Sequence, residues 1–158
     1  SCMTLKLDLQ IALDMPDLPA ESDFRRWAEA ALAGANYLKD AELTIRIVNE
    51  VESAALNESY RHEQGQTNIL SFPAEAPPEV ESALLGDIVI CAPVVLRESI
   101  AQEKSPAAHW AHLVAHGVLH LLGYDHDEVQ AEAMESLEIH ILAGLGYSDP
   151  YGDTPDQP

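Results

Sequence analysis

Positive charge is what this sequence has least of. Eight Lys and Arg stand against 27 Asp and Glu in 158 residues, a formal net charge of −19. A typical nucleic-acid binder displaces counterions with a broad basic face, and so few cations cannot build one. A polyanionic substrate would have to be held locally, by a metal ion and a few well-placed arginines. The acidity otherwise reads as a well-solvated surface. Cysteine is nearly absent as well. Cys2 and Cys91 offer no disulfide framework, so any metal site must rest on histidine. No uninterrupted apolar run approaches membrane-spanning length. The N-terminus has no basic stretch leading into an apolar one, so no signal peptide is expected and a cytoplasmic protein is the simplest fit. No repeat and no linker divides the chain. Residues 1–158 are therefore expected to form one domain, with a polar, proline-containing tail over 147–158 that frays.

What is present alternates between strand and helix patterns. Residues 4–13 (T-L-K-L-D-L-Q-I-A-L) and 42–49 (E-L-T-I-R-I-V-N) alternate apolar and polar, as half-buried strands do. Between them Glu21 or Ser22 opens an amphipathic helix reaching about Tyr37, with Phe24, Trp27, Ala31 and Leu32 inward; Arg25-Arg26 in its first turn reads as a solvated face. A short helix over 50–60 follows, with Val51, Leu56 and Tyr60 as inner candidates. A third strand spans 67–72 and is stopped by Pro73. The stretch 74–82, with Pro77-Pro78, is an exposed loop. Residues 84–91 (L-L-G-D-I-V-I-C) end in a continuous apolar run, which suits a central strand. Pro93 opens a helix to about Lys104, and Ser105-Pro106 is an N-cap with proline at the first helical position, launching another. Asp127 caps a last helix to about Ala143, with Met134, Leu137 and Ile141 on one face.

The helix after Ser105 carries the chemistry. Residues 110–126 read W-A-H-L-V-A-H-G-V-L-H-L-L-G-Y-D-H. His116 and His120, four apart on a helix, are offset by about 40° around the axis and about 6 Å along it, so both rings leave one face. Gly123 can take the left-handed conformation that ends a helix and turns the chain back. That brings His126 towards the other two. Three imidazoles then converge with a fourth position left for water, the arrangement of a catalytic zinc site rather than a closed structural one. His109 and His112 lie on the same side but precede the turn, and read as structural or supporting residues. The protease pattern H-E-x-x-H-x-x-G-x-x-H puts a glutamate base directly after the first histidine. Here Gly117 stands there, and glycine can neither take nor give a proton.

These residues resemble a known family. H-G-V-L-H-L-L-G-Y-D-H (116–126) is similar to the signature of the YbeY family of bacterial metal-dependent endoribonucleases and rRNA maturation factors. The similarity extends to L-N-E-S-Y-R (56–61), T-N-I-L-S-F-P (67–73), L-L-G-D-I-V-I-C (84–91) and G-Y-S-D-P-Y (146–151). It implies an α+β fold with a mixed four-stranded sheet packed with helices and a zincin-like metal helix. It also implies one Zn2+ per chain held by His116, His120 and His126, and an arginine important for activity that maps onto Arg61. Between Arg61 and Thr67 the family commonly carries a Lys-Asp pair and a proline, where this chain has His62-Glu63-Gln64-Gly65-Gln66.

The implied activity is zinc-dependent cleavage of single-stranded RNA, in maturation of small-subunit rRNA and ribosome quality control. The expected partners are rRNA precursors and the small ribosomal subunit or its assembly factors, with no DNA and no membrane. Zinc supplies a nucleophile from water without a glutamate base, and Arg61 can offer paired donors to a phosphate oxygen; taken alone it also reads as a surface arginine at a helix end. Asp125 either orients a histidine or caps the turn. Glu128, Glu132, Glu135 and Glu138 read as a solvated helix face. Two other readings stand beside the nuclease: a non-catalytic, metal-containing ribosome-assembly factor, and a zincin-like metallopeptidase, which Gly117 disfavours.

Overall fold

A computed structural model of the chain describes residues 4–61, 68–75, 82–124 and 128–152, with the backbone alone at residues 60, 61, 128 and 129. Among them the alternating segments form one mixed sheet in the order β1-β2-β4-β3. β1 (Leu5–Ile11) and β2 (Ala41–Val48) pair in parallel, Leu7 opposite Leu43 and Leu9 opposite Ile45. A parallel pair needs a crossover, and α1 (Glu21–Gly34) provides it. β4 (Leu84–Cys91) runs parallel to β2 and antiparallel to β3 (Ile69–Pro73), so the strand with the continuous apolar end is interior, as its composition predicts. The fold is α+β with a four-stranded mixed sheet, in agreement with the sequence.

The sheet separates two apolar clusters. Leu43, Ile45, Ile88 and Ile90 face α1, α4 (Pro106–Leu121) and α5 (Glu128–Gly144), forming the larger core. Phe24 of α1 sets its ring edge-to-face against Trp27 at 5.6 Å and Trp110 at 5.5 Å, locking α1 to α4. On the other face Val48, Leu70, Val89 and Cys91 meet Val94 of α3 (Ala92–Ala101) and Leu56 of α2 (Glu50–Arg61). Cys91 is buried and free, and that burial holds its thiol above the ordinary range.

Several boundaries shift. α1 ends at Gly34, short of Tyr37, because Asn36 turns to φ 59° and the Tyr37 amide bonds back to Leu32 O. α3 stops at Ala101, where Glu103 takes φ 55°. On α2, Val51 is 79% exposed; the buried positions are Ser53 and Asn57, one helical turn apart, and Leu56 packs half-buried beside them as expected. Tyr60 falls outside the described side chains. Of the tail 147–158 that was expected to fray, residues 147–152 are docked and 153–158 lie outside the described residues. The Tyr147 amide bonds Leu142 O at 2.8 Å and Lys104 Nζ bonds Pro150 O at 3.1 Å. No helix among the described residues is long and apolar enough to cross a membrane.

Candidate metal centre on the histidine helix

α4 is built as expected from its ends inward. The Ser105 hydroxyl accepts from the Ala108 amide at 3.1 Å, and Pro106 follows at the first helical position. Trp110, Leu113, Val114, Val118 and Leu119 are buried, so the helix is apolar nearly all round. The half-buried positions His112, His116 and His120 recur every four residues and form one partly open stripe.

The other end decides how the last of these rings is held. Gly123 takes φ 106°, its amide bonds His120 O at 3.0 Å, and the Tyr124 amide bonds Leu119 O at 3.1 Å. This paired closure is favoured by glycine because a Cβ is strained at that φ. It turns the Tyr124 carbonyl onto His120 Nδ1, 2.9 Å away. A carbonyl can only accept, so Nδ1 carries the proton and a neutral His120 presents the lone pair of Nε2.

His116 is set by a residue that the sequence reading placed in solvent. Glu138 of α5 is 0% exposed. Its Oε2 accepts from His116 Nδ1 at 2.8 Å, and its Oε1 accepts from His112 Nε2 at 2.7 Å and Tyr151 Oη at 2.5 Å. Burial would raise this carboxyl, but the hydrogen bonds from His112, His116 and Tyr151 outweigh it and hold it at about 2. Burial, reinforced by Glu138, pushes the Tyr151 phenol up, so it stays protonated and donates. Glu132 and Glu135 are exposed, as expected; the Glu128 side chain lies outside the described residues. A signal for Glu138 existed in the sequence. It is four residues after Met134 and three before Ile141, in register with the buried face.

With both Nδ1 atoms so engaged, the two Nε2 atoms stand 3.1 Å apart. Two ligands about 2.0–2.1 Å from one zinc in tetrahedral geometry sit roughly 3.3 Å apart, so the pair fits such an ion. His126 and Asp125 lie outside the described residues. Among those described, no group of three or more His, Cys, Asp or Glu forms a metal cluster. Arg61 is the last residue of α2, and its side chain is likewise not described.

His109 and His112 divide differently from one another. His109 is buried and bonded through Nε2 to Glu98 of α3 at 2.8 Å, which also takes Asn68 Nδ2 at 2.8 Å; this is a structural bridge from α4 to β3. His112 shares its carboxylate with His116 and so belongs to the site.

Gly117 packs against the sheet. A Cβ there would come 2.9 Å from Ile69 Cδ1, 3.0 Å from Ile88 Cδ1 and 3.1 Å from Ile88 Cγ2. The position that carries the base in the protease pattern points here into the core, where a carboxylate would not fit. Nor do the described cations form a patch. Arg25, Arg26, Arg46 and Arg97 pair with Glu29, Asp23, Glu52 and Glu50. Arg46 lines a cavity of about 410 Å³ on the sheet face opposite α4, but binds Glu52 through two nitrogens at 2.6 and 3.1 Å.

A histidine-bearing helix thus crosses the mixed sheet of an α+β fold and brings two imidazole Nε2 atoms to within 3.1 Å of one another. The family model "Endoribonuclease YbeY" matches residues 10–146. A protein described as "Endoribonuclease YbeY" from Nitrosococcus oceani is 55% identical over 152 residues, covering 94% of this chain and 98% of that one. The solution structure of TM1509 from Thermotoga maritima has the same fold, with a TM-score of 0.57 at 20% identity over 94% of this chain and 99% of that one. This chain belongs to the YbeY endoribonuclease family.

Proposed function

We propose that the protein is a zinc-dependent endoribonuclease selective for single-stranded RNA, acting in maturation of small-subunit rRNA and in ribosome quality control. The observation that carries the metal reading is the pair of Nε2 atoms 3.1 Å apart, each on a ring whose Nδ1 is already engaged. His116 and His120, with His126 as third ligand, would hold one Zn2+. When bound, the ion supplies a Lewis acid for a phosphoryl oxygen and a water whose pKa is lowered towards about 7. The residues of the chain do the rest. Glu138 and the Tyr124 carbonyl fix the two rings, so the Nε2 atoms of His116 and His120 are already turned towards each other. Gly117 keeps the helix close to the sheet and leaves no protein carboxylate at the peptidase position. Arg61, at the end of α2, would offer planar paired donors to the charge that builds on a phosphate.

Charge favours RNA delivered rather than captured. With −19 net and the described arginine side chains paired to carboxylates, the chain has little to draw a polyanion from solution. The small ribosomal subunit or an assembly factor would present the strand. The test is cleavage of unstructured against duplex RNA by the zinc-loaded protein. His116→Ala and Arg61→Ala should each abolish nicking, and undiminished cleavage by both would reject the assignment. The same charge argument also favours a non-catalytic assembly factor. That reading wins if a cleavage-dead variant fully restores rRNA maturation in cells lacking the protein.

A further inference from the structure

Glu138 is an anion buried in the core, and among the described residues no lysine or arginine pairs with it. Its recorded partners are two imidazoles and a phenol. Taking a carboxylate out of water costs several kcal/mol, and a well-packed apolar residue in such a place is often as stable or better. Met134, Ile141 and Leu142 fill the same face of α5, so packing alone gives no reason for a glutamate. What a leucine could not do is choose a tautomer.

We infer that Glu138, held by Tyr151 and His112, is the positioning residue that sets His116 with Nε2 towards the metal point, and that the C-terminal segment through Tyr151 is thereby part of the site. The inference rests on the metal reading above. Oε2 is given to His116 Nδ1. Oε1 is given to His112 and Tyr151, which are themselves 3.2 Å apart. The carboxylate therefore cannot rotate away from His116 without breaking two other bonds. All three contacts run in one direction, since an ionised carboxylate only accepts. The two rings are also unequal. His120 leans on a neutral carbonyl, whereas His116 leans on an ionised carboxylate. Tyr151 reaches in from beyond α5. Asp149 Oδ1 accepts from the Tyr151 amide at 2.7 Å and Lys104 holds Pro150 O, so the segment arrives preformed.

The test uses the full chain, stripped of metal, with Zn2+ as the probe in competition with a chromophoric chelator. Nitrogen-15 spectra of the histidine rings in the metal-free protein give a second readout. Glu138→Gln keeps the shape, but its amide nitrogen cannot accept from His112 or His116. It should weaken Zn2+ binding by about 10- to 100-fold and move His116 out of the Nδ1–H tautomer. Tyr151→Phe removes only one donor and should cost less than about 10-fold, with the tautomer of His116 becoming mixed. His140→Ala, on the exposed side of α5, should change neither. Wild-type affinity and tautomer in a folded Glu138→Gln protein would overturn the inference. If that variant does not fold, the same result in Tyr151→Phe overturns it. Wild-type Zn2+ affinity in His116→Ala would overturn the metal reading and this inference together, whereas loss there with no change in Glu138→Gln overturns the inference alone.

Discussion

Gly117 offers the sharpest check on how the histidine helix is seated. Alanine in a helix interior is favoured over glycine by about 1 kcal/mol. Against that gain stand three contacts of 2.9, 3.0 and 3.1 Å that a new Cβ would make with Ile69 and Ile88. Two of the three atoms are Cδ1 ends, which can swing; Ile88 Cγ2 cannot. Overpacking by one methyl costs about 1–3 kcal/mol, so Gly117→Ala should be destabilised by about 1 kcal/mol on balance. For a chain this long that is a fall in Tm of about 2–4 °C. Gly117→Glu differs in kind. It adds a longer side chain to the same gap and leaves a carboxylate in the core without a partner, which costs about 3–5 kcal/mol on top of the overpacking. The sum is comparable with the whole stability of a typical domain, about 5–15 kcal/mol. Urea melts of the metal-free variants followed by circular dichroism would measure both. A Gly117→Ala protein stabilised by the full propensity gain, or a Gly117→Glu protein melting with the wild type, would refute the packing argument. Restoring the protease pattern should thus unfold the helix from the sheet rather than create a peptidase.

Other consequences are less costly to reach. Ser105→Ala removes the one side-chain cap seen on α4 and should cost about 1 kcal/mol in the same melts; no change would mean the helix start is held by Pro106 and packing alone. His109 is pulled below the ordinary imidazole value of 6.5 by burial, with the Glu98 bond opposing and His112 and Lys104 adding to the fall. The unfolded chain therefore binds the proton first as pH drops, so the folded state loses stability below about pH 6.5. The Tm advantage of wild type over His109→Gln should accordingly narrow between pH 7 and 5.5 in metal-free protein. A widening gap would show that the imidazolium–Glu98 pair outweighs burial.

The elements were legible because period and punctuation agreed. Alternation marked β1 and β2, the continuous run at the end of β4 marked an interior strand, and Ser105-Pro106 marked the start of α4. The His116–His120 pair followed from helical geometry alone. Gly123 was legible as a turn, but not as the device that brings the Tyr124 carbonyl to His120, because that depends on the two hydrogen bonds closing the helix. Val51 misled on α2, where an apolar residue sits in solvent while Ser53 and Asn57 share the inner face with Leu56.

Glu138 shows where reading by residue type fails. Four glutamates at helical spacing suggest a charged outer face, and for Glu132 and Glu135 that holds. Register gave the opposite answer for Glu138, since it shares a face with Met134 and Ile141. When type and register conflict, the burial of an ion must be offset by something specific, and hydrogen-bond donors are the only available currency. Here they come from two histidines one helical turn apart on α4 and a tyrosine beyond α5. A carboxylate in register with a buried helical face, in a chain that also carries an H-x-x-x-H helix, is thus itself a pointer to the imidazoles it orients.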